Sequence, residues 1–332
     1  MEQQIVLLLF GGFIFLLLIG APITVSLAGA AMVAYLVLDK NPISFVQIAF
    51  TSVGNFPLMA LPAFILAGAL MEAAGISRRL VDIAESLAGP ITGGLGLATV
   101  IACLFFGAIS GSGPATTAAV GMLMIPAMTK RNYNLSYASA ITASSGGLGI
   151  IIPPSIPMVI FGISALGLRP PAEAVTLHGE FASVSISKLF IAGVIPGLIM
   201  ASSIMVMNYF ISRKHGYKGM DSGWNGASLR RSLVQGVWSL LAPLFILGGI
   251  YAGFFTPTES AVVAIFYTLF VGIFIHREIT FKKVFNSLRT TTWITGRILL
   301  ILFAATVFGR LLVEQKIPAH IAETLILSLI HI

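Results

Sequence analysis

The chain has 332 residues, of which 57% are hydrophobic and only 9% charged, with a formal net charge of +7. A soluble globular domain carries roughly 25% charged residues, so this composition cannot clothe a water-facing surface. It excludes a cytosolic enzyme, a disordered protein and a nucleic-acid binder, and its basic residues report orientation in a bilayer rather than an anionic partner.

Met1-Glu2-Gln3-Gln4 is not a basic signal-peptide head, so the first apolar run reads as a retained span. Apolar runs of roughly 17–25 residues mark helices that cross the hydrocarbon core. Ile5–Ile19 and Ile23–Leu38 are two short runs joined by a tight turn at Gly20-Ala21-Pro22. Proline's missing N–H costs little at a helix start. Ile43–Val53 is amphipathic and suits the interface, and Phe56–Ala74 is a third span. Ile76–Leu87 sets Arg78, Arg79, Asp82 and Glu85 opposite Ile76, Leu80, Ile83 and Leu87, the pattern of a helix lying along the membrane surface.

Two unusual segments follow. Gly93–Ile109 and Ala115–Met128 are apolar but short, and Ser110-Gly111-Ser112-Gly113-Pro114 separates them. Leu135–Leu166 is too long for one plain span, and its middle holds Gly146, Gly147, Gly149 and the pair Pro153-Pro154. Proline removes a donor and pushes its predecessor out of the α region, so a broken helix is expected. Beyond it, Leu189–Ser212, Val234–Phe254, Thr258–Ile275 and Trp293–Val313 read as spans, with a surface-type segment at Thr280–Leu288.

Basic residues orient the spans. If Gly93–Met128 enters and leaves on one side, then Arg78, Arg79, Lys130, Arg131 and every Lys and Arg from Arg213 to Arg289 share a face. Lys40, Arg169 and Lys188 are left opposite. The positive-inside rule then makes residues 93–128 a hairpin with a cytoplasmic mouth and puts the N-terminus outside. Two full crossings and a re-entrant hairpin have the same parity; the short arms and Gly-Ser-Pro tip favour re-entrant.

An internal repeat accompanies this topology. Leu66-Ala67-Gly68-Ala69-Leu70, followed by Gly75-Ile76, aligns with Val307-Phe308-Gly309-Arg310-Leu311, followed by Lys316-Ile317. Each is a span flowing into an amphipathic stretch, Leu80–Leu87 or Ile321–Leu329, and the copies face opposite ways. Residues 1–166 then form a first inverted repeat with hairpin 93–128 and broken helix 135–166. Residues 167–232 hold loops and a connecting helix, 189–212, and residues 233–332 an incomplete second repeat. The fold class is an all-α polytopic membrane protein built as an inverted-repeat transporter. The last six residues, Leu-Ser-Leu-Ile-His-Ile, are what a common transposase-adapter end encodes, so the natural chain is expected to continue. About 80–100 further residues, with a second hairpin and broken helix, would complete the repeat.

Non-helical backbone at membrane depth is tolerated only where protein buries it or a cavity needs it. The Ser110–Pro114 tip and the Gly146–Pro154 break are therefore site candidates. Unwound carbonyls and Ser/Thr hydroxyls suit a hard monovalent cation such as Na⁺. Helix N-termini near Ala115 and Ser155 offer N–H groups and partial positive charge to an anion. The competing reading is that these small residues serve helix packing alone. Glu259 opens a span, where a carboxylate is favourable in any case, and Arg297 and Arg310 can snorkel. Chemistry on substrate is not supported: His178, His215, His276, His320 and His331 fall in loops or surface segments, no P-loop or G-x-S-x-G elbow is present, and Cys103 stands alone. The chain is expected to be no enzyme and to need no cofactor.

Phe105 to Ala119, with Ser110-Gly111-Ser112-Gly113-Pro114-Ala115-Thr116 at its centre, resembles the first hairpin of the large, DctM-type permease subunit of the TRAP (tripartite ATP-independent periplasmic) transporters. Gly146 to Ser155 is similar to that family's following broken helix, and Gly253-Phe254-Phe255-Thr256-Pro257-Thr258-Glu259-Ser260-Ala261 to its second-repeat signature. The resemblance runs from Gly20 to Pro318 and implies Na⁺-driven import of an organic acid (a C4-dicarboxylate, sialic acid or similar carboxylate) across a bacterial inner membrane. It implies a periplasmic substrate-binding protein and a small four-helix membrane subunit as partners, membrane lipid around them, no nucleic acid, and an elevator-type transport domain. Carried over by motif, Ser110 and Ser112 with backbone at Gly147, Gly149 and Pro153 would hold Na⁺, and Ser112, Gly113, Ala115, Thr116 and Ser155 would face substrate. A single-component carboxylate or ion exchanger is the alternative, and a structural or signalling membrane protein the third class.

Overall fold

A computed structural model describes residues 2–54, 56–165, 176, 184–219, 225–320 and 322, and every regular element among them is a helix. Arg169, His178, His331, the amphipathic stretch 321–329 apart from residue 322, and the last six residues lie outside the described residues. Packing divides the chain into two compact units, residues 1–56 with 293–332, and residues 57–292.

In the first unit, α1 (Glu2–Val6) passes through a π-helical turn, Leu7–Gly11, into α2 (Gly12–Leu18). Pro22 precedes α3 (Ile23–Val37) at the expected turn, and Asn41 caps α4 (Pro42–Val53) by accepting from the Ile43 N–H at 2.9 Å. Leu9, Ala31, Ala34 and Tyr35 are buried together with Val307 and Leu311. The arginines of residues 293–314 are engaged at the surface: Arg297 lies 4.8 Å from the Trp293 ring centroid, and Arg310 Nε donates to Glu314 at 3.1 Å. Lys40 also pairs with Glu314.

The second unit holds α5 (Ala60–Ala73), α6 (Ile76–Ala88), α7 (Gly94–Ser110), α8 (Gly113–Lys130), α9 (Leu135–Gly146) and α10 (Ile156–Ser164). It continues with α11 (Ile186–His215), α12 (Gly226–Tyr251), α13 (Pro257–Phe270) with a π-helical turn Val271–Ile275, and the start of α14 (Phe281–Glu314). Four described helices are long and apolar enough to cross a membrane: Ile186–His215, Gly226–Tyr251, Pro257–Ile275 and Phe281–Glu314. Gln4–Leu18, Ile23–Val37 and Gly94–Ser110 are apolar but shorter.

Four segments differ from the sequence reading. The apolar face of α6, with Ile76, Leu80 and Ile83, is buried against α7 and α12 rather than left for lipid, while Arg78 and Asp82 stay exposed. Helix α12 begins eight residues before the apolar run, because Asn225 accepts from the Ala227 and Ser228 N–H groups and caps it there. Arg230 and Arg231 are thus helical, not loop. The surface segment 280–288 and the span 293–313 are one helix, α14. Its polar middle does not break it, since the Thr291 and Thr292 hydroxyls donate back to Ser287 O and Leu288 O at 2.8 and 3.0 Å. The second hairpin arm, α8, outruns the expected run at both ends. As expected, Glu259 sits in a helix first turn, where it forms a capping box with Thr256.

Candidate functional site

Helices α7 and α8 run antiparallel, with Thr99 beside Met128 at one end and Ser110 beside Thr116 at the other. The turn between them follows from Gly111, whose φ of +62° a side chain would strain. Ser112 is extended and starts α8, its hydroxyl accepting from the Ala115 N–H at 3.4 Å. The tip folds its own hydroxyls inward. Thr116 donates to Ser112 O at 2.8 Å, and the Ser110 and Thr116 hydroxyls are 2.9 Å apart, so Ser110 donates to Thr116. Ser110 and Thr116 are buried; Ser112 is half-buried.

The expected break is present. Helix α9 ends at Gly146, a 3₁₀ turn spans Gly147–Ile150, and residues 151–155 are non-helical before α10. Ser155 fastens this segment from both sides: its hydroxyl donates to Ile150 O at 2.6 Å and accepts from the Met158 N–H at 3.3 Å.

Tip and break meet in a glycine seam. The Ile156 N–H donates to Gly111 O at 3.1 Å. A Cβ on Gly111 would stand 2.5 Å from Pro154 O, and one on Gly107 would stand 2.8 Å from Gly149 Cα. A Cβ on Gly149 would lie 2.9 Å from Ser112 O and run into Thr116 Oγ1. Thr116 Oγ1 and Ser112 O therefore lie against Gly149, and Ser110 Oγ joins them through its bond to Thr116. Helix α5 closes in behind, Gly68 lying so near that its Cβ would be 3.3 Å from Ser110 Cα. Lipid tails are as apolar as leucine, so such contacts rest on close approach and hydrogen bonds rather than on hydrophobic exclusion.

Not every expected residue joins the seam. Gly147 is helical in conformation, and a Cβ there would meet nothing within 4 Å. Pro153 is buried, but the carbonyl at the tip belongs to Pro154. The two helix N-termini also differ from expectation. In α10 the Ile156, Met158 and Val159 N–H groups are bonded to Gly111 O, Ser155 Oγ and Ser155 O, and Pro157 has none. That end offers nothing to an anion, because the tip supplies its partner. In α8, Ala115 and Thr116 N–H are taken, Pro114 has none, and the buried Gly113 N–H has no partner among the described residues.

Residues outside the expected set also build the site. Gly107, Gly111 and Pro154 make the seam itself, and the Ser145 hydroxyl is buried without a partner just before the break. Helix α11 packs on the break through small residues: a Cβ on Gly193 would lie 2.7 Å from Ile151 O, and one on Gly197 would lie 2.8 Å from Ile152 Cδ1. The spacing Gly193, Gly197, Ala201 is a small-residue stripe at helical period, a signal present in the sequence. At the far end of the hairpin, Asn208 of α11 donates to Gly93 O at 3.1 Å and accepts from Tyr137 at 2.6 Å. No group of three or more His, Cys, Asp or Glu side chains lies together among the described residues. The seam's oxygens are all neutral, a set whose chemistry suits a monovalent cation better than a transition metal.

Residues 10–329 match the family model described as "Tripartite ATP-independent periplasmic transporter, DctM component". The chain is 40% identical over 319 residues to the isethionate TRAP transporter permease protein DctMQ of Oleidesulfovibrio alaskensis, covering 96% of this chain and 48% of that protein. It is 35% identical to the C4-dicarboxylate TRAP transporter large permease protein DctM of Rhodobacter capsulatus, covering 96% of this chain and 72% of that one. The sialic acid TRAP transporter permease protein SiaT of Haemophilus influenzae is 36% identical, over 94% of this chain and 48% of its own length.

Proposed function

The chain belongs to the DctM-component family of tripartite ATP-independent periplasmic transporters, and from that premise we propose that it is the large membrane subunit of a Na⁺-coupled importer of organic acids. The named substrates of its relatives, a sulfonate, C4-dicarboxylates and a sialic acid, define the class: small anions carried on acidic head groups. Its setting is a bacterial inner membrane with the N-terminus periplasmic, beside a small four-helix subunit and a periplasmic binding protein that delivers substrate. Residues 1–166 and 233–332 act as two inverted repeats around the 189–212 helix, and the hairpin-bearing part moves elevator-fashion.

One observation carries this reading: the tip and the break are joined by a backbone bond, and Ser110, Thr116 and Ser112 gather three oxygens at the tip, two of them against Gly149. A Na⁺ ion taken between Ser110 Oγ, Thr116 Oγ1, Ser112 O and the backbone near Gly149 would replace the Ser110–Thr116–Ser112 hydrogen bonds with ion–oxygen contacts. That would stiffen the start of α8. The Gly113 N–H and the positive end of the α8 dipole then stand ready for a carboxylate or sulfonate, with Ser112, Ala115 and Thr116 around it. Ser155 holds the break to α10 rather than touching substrate. Because cation and anion order the same tip, each raises affinity for the other, and this reciprocity is coupling.

Reconstitution of the full-length permease with its small subunit in proteoliposomes tests the reading. An inward Na⁺ gradient should drive uptake only when a substrate-loaded binding protein is outside. Equal uptake under a K⁺ gradient contradicts the coupling, and uptake of free substrate without binding protein would favour a single-component exchanger.

A further inference from the structure

A cavity of about 460 Å³ opens in the second unit between α6, α12 and the turn that follows α13. Its charged lining is Arg78, Arg79, Asp82 and Glu278, so with neutral histidine it carries no net charge. Arg79 and Glu278 are spent on each other: Arg79 Nη1 donates to Glu278 Oε1 at 2.9 Å and also to Gly75 O at 2.9 Å. Arg78 and Asp82, one turn apart on α6, are exposed, and neither side chain makes a hydrogen bond among the described residues. They attract each other across one turn of α6 without a direct bond, and are the exposed cation and anion of the cavity.

His276 is fixed in the wall by its other nitrogen. Its Nδ1 is 2.9 Å from Ala74 O, and a carbonyl only accepts, so the ring proton sits on Nδ1. In the neutral ring Nε2 is then a bare lone pair, but it is buried with no hydrogen-bond partner, away from the cavity, and takes no part in what the cavity binds. Burial and the nearby Arg79 hold the His276 pKa below its usual value, against the Ala74 bond and Glu278, which raise it. Trp238 belongs to the same wall, and the Tyr267 hydroxyl donates to its backbone carbonyl at 2.5 Å. A carboxylate and an indole are two groups that favour an ammonium, and only the carboxylate accepts an N–H. Arg78 beside them favours a phosphate.

The apolar part of the lining says where such a molecule comes from. Val234 is 65% exposed, and Phe274, just before the lining residue Ile275, is 66% exposed, in helices long enough to cross a membrane. The cavity is thus polar inside and continuous with side chains that meet acyl chains. We propose that it binds the headgroup of an aminophospholipid, a phosphodiester carrying a primary amine, with the ammonium toward Asp82 and Trp238 and the phosphate at Arg78. Internal neutrality is the reason to expect a zwitterion: a headgroup with net negative charge would meet as many carboxylates as guanidiniums.

Native mass spectrometry of the purified protein tests this, with phosphatidylethanolamine, phosphatidylcholine and phosphatidylglycerol offered in equal amounts and free O-phosphoethanolamine as a soluble arm. The ethanolamine lipid should be retained about tenfold over the choline lipid, whose nitrogen has no N–H. Asp82→Asn and Arg78→Gln should each remove most of that preference while leaving thermal stability in choline lipid unchanged, since both side chains are exposed. Equal retention of the two zwitterions, preference for the glycerol lipid, or a preference unmoved by both variants would overturn the proposal. Stabilisation by O-phosphoethanolamine with no selectivity among lipids would overturn the lipid assignment in favour of a soluble phosphoamine.

Discussion

Two helices begin side by side at the seam, α8 at Gly113 and α10 at Ile156, and both open with a serine cap and a proline in the first turn. By sequence they are near twins. In the structure they are opposites: α10 has its first-turn donors bonded, one of them to the carbonyl of Gly111, whereas α8 keeps the Gly113 N–H unspent. A helix N-terminus is therefore not in itself an anion site. What decides is whether the neighbouring chain has already claimed its donors, and here the hairpin tip claims those of α10 and leaves its own open. One end is a joint, and the other keeps the donor on which the proposed anion site rests.

The sharpest way to break this distinction is to wedge the seam apart. Gly149→Ala places a Cβ against Thr116 Oγ1 and 2.9 Å from Ser112 O, while Gly147→Ala, two residues earlier, meets nothing within 4 Å. Na⁺-driven uptake by the full-length protein should be abolished by the first and retained by the second. Equal loss in both would mean that glycine is needed here for flexibility and not for the contact.

Changes to the oxygens should be milder. Ser110→Ala and Thr116→Val each remove one of the proposed ligands, so the Na⁺ concentration for half-maximal uptake should rise about tenfold, or about 1.4 kcal/mol, with little change in the maximum. Ser203→Ala should leave the Na⁺ titration where it was, because that exposed hydroxyl is satisfied by Ile199 O at 2.8 Å within an unbroken helix.

The joint should behave as a joint. Ser155→Ala deletes the bond to Ile150 O and the cap on Met158, and is expected to cost about 1 kcal/mol of stability, read as a lower Tm. Its Na⁺ titration should stay within about twofold of the parent's, since no ion ligand is lost. A large shift in Na⁺ requirement at unchanged Tm would move Ser155 into the site.

The sequence made parts of this legible and hid others for physical reasons. Ser-Gly-Ser-Gly-Pro between two apolar runs, and Gly-Gly-Leu-Gly before Pro-Pro, announce a hairpin and a break because these residues cannot continue a helix at low cost. That the tip would cap α10 was not legible, since Gly111 and Ile156 are joined only by tertiary packing. The role of α11 was half visible: its Gly193–Gly197–Ala201 stripe is plain once sought, but hydropathy alone registers it as one more span. The unity of α14 was concealed by Ser287, Thr291 and Thr292, whose polarity mimics an interruption although Thr291 and Thr292 donate back inside the helix.

The most direct test needs no transport. If the seam takes Na⁺ through Ser110, Ser112 and Thr116, as proposed, the ion should stabilise the folded protein by RT ln(1 + [Na⁺]/Kd), about 1.4 kcal/mol at ten times Kd. The measurement is the Tm of the purified protein in NaCl against KCl at matched ionic strength, beside the Thr116→Val and Ser203→Ala variants. Higher Tm in Na⁺ for the parent and Ser203→Ala, with the gain lost in Thr116→Val, is the predicted result. The same Tm in both salts for the parent, or a Na⁺ gain that survives in Thr116→Val undiminished, would contradict it.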